Sequence, residues 1–103
     1  MGDAGGVWAA VRTAAGRAGI KYRLLIAVEV LDFTAALTRR EQEALWKRFR
    51  AIRENPHHYS DYSEPDSEGR LLDVHVHSGF AIHFWEDGAD RHVKILHLCR
   101  ADR

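Results

Sequence analysis

At 103 residues, with 46% hydrophobic side chains and three Trp, three Tyr and four Phe, the chain has material for one domain and one core. That excludes both wholesale disorder and a two-domain design. Lys plus Arg number 15 and Asp plus Glu 15, so no net field draws the protein onto nucleic acid or anionic lipid. The one cysteine, Cys99, excludes an intrachain disulfide and favours a reducing, cytoplasmic setting, and no apolar run approaches the roughly 20 residues that span a bilayer.

Residues 1–19, rich in Ala and Gly, read as an N-terminal extension to a single domain over 20–103. The extension is either the product of a mis-set start codon or a loosely attached helix using Val7, Trp8, Val11 and Ala15. Tyr22, Leu24, Ile26, Val28 and Val30 alternate with Arg23, Leu25, Ala27 and Glu29, the period-two pattern of a first strand. Asp32 is placed to cap a short helical turn through Leu37. Thr38-Arg39-Arg40-Glu41 then spells a capping box for a longer helix with the apolar stripe Leu45, Phe49 and Ile52, and Asn55-Pro56 stops it. This helix is basic, with six cations against two acids from Arg39 to Arg53, whereas Asp61 to Glu68 holds four acids and no base.

Residues 57–69 carry no periodicity and read as a loop. Beyond Gly69, Arg70 to Val76, Phe80 to Trp85 and His92 to Arg100 read as an antiparallel three-stranded meander, broken at Ser78-Gly79 and Asp87-Gly88. A three-residue loop, His77-Ser78-Gly79, pairs Val76 with Phe80 and sets Asp73 opposite His83 and His75 opposite Ala81. A two-residue Ser78-Gly79 loop mixes His75 into the apolar face, so the longer loop is preferred. The last strand is apolar on both faces and is expected between the first strand and the Phe80 strand. The fold class is α+β: a first strand, two helices and the meander in one twisted sheet, with helices on one face.

The element order and local wording resemble the RelE/ParE superfamily of toxins from bacterial toxin-antitoxin modules. The likeness runs from Tyr22 to Arg100 through Ile52-Arg53-Glu54-Asn55-Pro56, Gly69-Arg70, the segment Val76 to Trp85, and Val93 to Arg100. It implies a growth-inhibiting toxin of the plasmid-stabilisation type, acting on RNA or the ribosome as a metal-independent endoribonuclease, with no cofactor and no membrane, and guarded by a cognate antitoxin. Two departures weigh against carrying activity over whole. Ala81 stands where ribonuclease members have an arginine, and no tyrosine or histidine follows Arg100. The alternative is a non-enzymatic binding protein of the same fold, either a degenerate toxin or a gyrase-directed inhibitor.

RNA cleavage without metal needs a base for the 2′-hydroxyl, an acid for the leaving oxygen and cations for phosphate. Asp73, His75 and His83 are the catalytic candidates, and Arg70 and Arg100 those for phosphate or RNA. Solvated or structurally paired side chains on a sheet's outer face are the competing reading. Trp46 and Arg50, four apart on the helix, and an outward Trp85 are candidates for partner contact. His75 and His77 do not share a face in the preferred register and lack a third ligand, so no metal site is expected.

Overall fold

A computed structural model describes residues 22–101 in full and 8–11 as backbone. The chain runs through β1 (Trp8–Val11), β2 (Arg23–Ala27), α1 (Val28–Ala35), α2 (Arg39–Glu54), a 3-10 turn (Pro56–Tyr59), β3 (Tyr62–Pro65), β4 (Leu71–His77), β5 (Phe80–Asp87) and β6 (His92–Arg100). The strands form one mixed sheet in the order β1-β2-β6-β5-β4-β3. The α+β class and the interior place of β6 match the sequence reading. β2 and β6 are parallel, and the other neighbours are antiparallel.

α2 forms where the capping box puts it. Thr38 Oγ1 accepts from the Glu41 N–H (3.1 Å), and the Thr38 N–H donates back to the Glu41 carboxylate (3.1 Å). Leu45, Phe49 and Ile52 bury that helix's stripe against Leu24, Ile26, Phe80, Ile82, Phe84, Val93 and Ile95 of the sheet. At ~25 cal/mol per Å² of apolar area, this layer is the main source of stability. Among the described residues no helix is long and apolar enough to cross a membrane.

Several expectations are corrected. Among the described residues the sheet has six strands, not four. Trp8–Val11 pairs with β2 as a strand rather than a helix, and the rest of the 1–19 extension lies outside the described residues. The first strand ends at Ala27, because Val30 and Thr34, four apart, turn inward on α1. Residues 62–65 of the expected loop pair with β4 as an edge strand.

The hairpin correction reaches furthest. Ser78 and Gly79 have φ of +53° and +82°, the two positive values of a type I′ two-residue turn. His77 therefore pairs with Phe80, His75 with Ile82, Asp73 with Phe84, and Val74 with His83. Asp73 is not opposite His83, and the two lie on opposite faces. The polar residues of β4 are tolerated on the helix-side face because the segment after Pro56 supplies their partners. Ser60 Oγ donates to Asp73 (2.7 Å), and Asp61 accepts from the Val76 N–H (2.8 Å) and meets His75 Nδ1 at 3.0 Å.

Candidate functional site on the open face

One face of the sheet carries the helices; the other carries none of the described helices. Val76 and Ala81 form part of its floor, with Tyr62, Glu64, His83, His97 and Cys99 around them. These side chains share a face because β3, β4 and β5 are in simple antiparallel register. A bulge then shifts β6, so that His83 pairs with His97 while Phe84 pairs with Ile95. The extra residue, Leu96, re-aims the end of the strand and brings the two imidazoles together, with centroids 5.2 Å apart edge to face. They border a hollow of about 890 Å³.

His83 Nε2 lies 2.8 Å from the Glu64 carboxylate. The ring is nearly enclosed, at 10% side-chain exposure, whereas Glu64 is 48% exposed. His83 Nδ1 is buried and has no hydrogen-bond partner among the described residues. The pairing fixes the tautomer when the ring is neutral: Nε2–H donates to Glu64, and Nδ1 holds the lone pair. Both groups line the hollow, and the carboxylate is the more accessible of the pair. His97 is exposed, so a second titratable group stands beside the first with access to the same space.

The catalytic set expected from the sequence is split. His83 is on the open face, whereas Asp73 and His75 lie on the helix side with Ser60 and Asp61. There His75 stacks on His77 (5.8 Å) and meets the Tyr59 ring (5.1 Å). His77 itself is held below the usual imidazole range, first by burial and then by the nearby Arg48 and His75. Arg70 is tied to Asp66 (2.9 Å) and lies 4.9 Å from the centre of the Trp85 ring, which Lys94 also approaches at 5.1 Å. Arg100 borders the hollow, but its guanidinium lies over Phe80 (4.9 Å) and loosely meets Glu41 of α2 at 3.9 Å. Trp46 packs edge to face on Phe49 (5.3 Å) as a partly buried side chain of the core, and Arg50 is exposed. Trp85 is half-buried on the open face.

Glu64 and Tyr62 escape the sequence reading, because residues 57–69 read as a loop. His97 joins the cluster on sequence only if its face of the last strand is the open one, and the β6 register puts it there, opposite His83. Among the described residues, no group of three or more His, Cys, Asp or Glu side chains converges as a metal centre requires. No protein-family model, curated protein or solved structure matches the chain.

Proposed function

We propose that the protein is a toxin-like, metal-independent endoribonuclease of RelE/ParE type whose active surface is the open face of the sheet. The observation that carries this reading is the Glu64–His83 pair, with His97 beside it, bordering an accessible hollow. Glu64, oriented by His83, takes the proton of a 2′-hydroxyl as its oxygen attacks the adjacent phosphorus. Protonated His97 gives its proton to the departing 5′-oxygen. The products are a 2′,3′-cyclic phosphate and a free 5′-hydroxyl, and each group ends in the state the other began in. Arg100, at the rim, meets phosphate by leaving a 3.9 Å contact with Glu41 and its place over the Phe80 ring.

The test is incubation of the purified chain with ribosome-bound and free RNA, scored for cyclic-phosphate ends. Glu64→Gln and His97→Ala should each lower the rate by about 10²- to 10⁴-fold, the usual worth of a general base or acid, at unchanged melting temperature. Wild-type protein that cleaves neither RNA defeats the reading.

One observation favours the non-enzymatic alternative. Ala81, in the position of the family's arginine, is 6% exposed and offers no cation to the hollow. A binding protein of this fold would act through a cytoplasmic partner such as an antitoxin, with Trp85, Trp46 and Arg50 as contact candidates. Pull-down from the native host with wild-type and Trp85→Ala protein distinguishes that case.

A further inference from the structure

The open face has a second hollow, of about 480 Å³, lined by Arg23, Ala89, Asp90, Arg91 and His92. Arg23 pairs with His92, and His92 with Asp87; Asp87, two residues beyond Trp85, is on the face that carries His83. With a rise of about 3.3 Å per residue and 4.8 Å between strands, this corner lies about 16 Å from His83 across the sheet, with Trp85 and Lys94 between them. Neither Arg23 nor Arg91 has a carboxylate partner among the described residues. His92 Nδ1 is buried without a hydrogen-bond partner among the described residues. Arg91 has φ of +59°, a left-handed conformation that glycine adopts more cheaply and that recurs at ligand clamps. Asp90 and Asp87 oppose an anion here, but Asp87 is bound by Lys94 (3.1 Å), which leaves two guanidinium groups facing the Asp90 carboxylate.

We propose that Arg23, Arg91 and His92 form a distal phosphate subsite, so that the ligand of the open face is an extended single strand of RNA several nucleotides long rather than a dinucleotide. This rests on the reading of that face as an RNA surface. Guanidinium groups are suited to phosphate oxygens, and the separation from Glu64 and His83 requires a strand that crosses β5, β6 and β2.

The experiment measures binding of uncleavable 2′-O-methyl oligouridylates of two and eight nucleotides across a salt series. For the eight-mer, Arg23→Ala/Arg91→Ala should weaken binding at least tenfold. It should also make the slope of log K against log salt shallower by about 1.4, at about 0.7 per phosphate contact with a single strand. Dinucleotide binding should not change. Arg91→Gly guards against a folding artefact: relief of the left-handed strain should raise the melting temperature while eight-mer affinity falls. Eight-mer binding and salt slope that are the same in wild type and both variants overturn the subsite, even if cleavage at Glu64 persists. Arginine-dependent eight-mer binding without any cleavage keeps the subsite and overturns the nuclease reading.

Discussion

Glu64 and His83 divide their work by exposure. In the proposed reaction the more exposed Glu64 is the reactive group, and the largely enclosed His83, hydrogen-bonded to it, is the positioning residue. His83→Leu removes a buried nitrogen that has no partner, and leaves a half-exposed acid that water can serve. Its stability cost should stay below about 1 kcal/mol, while the rate falls because Glu64 loses its anchor; melting temperature and kcat measured together check this. On the helix side, His77 gives the fold a pH dependence of definite sign. Burial lowers its folded-state pKa, so the unfolded chain takes up the proton more readily. Stability from this group is complete above about pH 6.5 and drains away as pH falls toward the folded value. Urea midpoints of wild type and His77→Gln between pH 7 and 5 should converge as the pH is lowered, because the variant lacks this loss.

α2 and the β4–β5 hairpin show opposite degrees of legibility. The helix is dictated locally, by Thr38 and Glu41 at one end, Asn55-Pro56 at the other and an apolar stripe between. Thr38→Ala should cost about 1 kcal/mol, and Phe49→Ala, at a fully buried position, about 3–5 kcal/mol; denaturant unfolding measures both. The hairpin follows a local turn against the hydrophobic pattern. Ser78 and Gly79 both accept positive φ, and the polar side chains this turns inward are satisfied by residues 60 and 61, more than a dozen positions earlier in the chain. Apolar residues set against apolar ones favour the longer loop, with Asp73 against His83, only while those distant partners are out of account. The same blindness to distant partners hid β3, whose Tyr-Ser-Glu-Pro wording carries no strand signal until β4 lies beside it. The site was thus readable in its residue types, histidines and an acid on a sheet, but not in which acid. Gly79→Ala meets no atom within 4 Å, so its cost is conformational alone, about 1–2 kcal/mol, and should appear as a lower midpoint with an unchanged slope.

Across the whole molecule, stability is distributed unevenly, and the candidate site straddles the boundary. β5 and β6 are interior strands beneath the helix layer, whereas β3 is an edge strand with four exposed residues, bonded on one side only. Yet β3 supplies Glu64, and two carboxylates that flank it, Asp61 and Asp66, add to its backbone pairing with β4. Asp61 is held below the usual carboxylate range, first by the Val76 N–H and then by His75, against a desolvation cost. Asp66 pays desolvation too, but N–H donors from Arg70 and Glu68 and the Arg70 guanidinium bring it down as well. Both carboxylates therefore favour the attached strand at neutral pH, and that preference is lost as pH falls below the usual carboxylate range through their folded-state values. The apolar layer under α2 has no such dependence. Acid should accordingly release β3 before the domain unfolds, a sub-global opening of the kind edge elements undergo. Amide exchange at Tyr62, Ser63 and Glu64 should quicken with acid while β5 and β6 stay protected, and the loss of cleavage, where cleavage is found, should track β3 rather than the far-ultraviolet signal. Asp61→Asn should reproduce the opening at neutral pH, because it replaces the charged acceptor of two hydrogen bonds with an amide. If β3, β5 and β6 instead lose protection together in the wild type, the edge strand is part of the global unit and the site is as stable as the core.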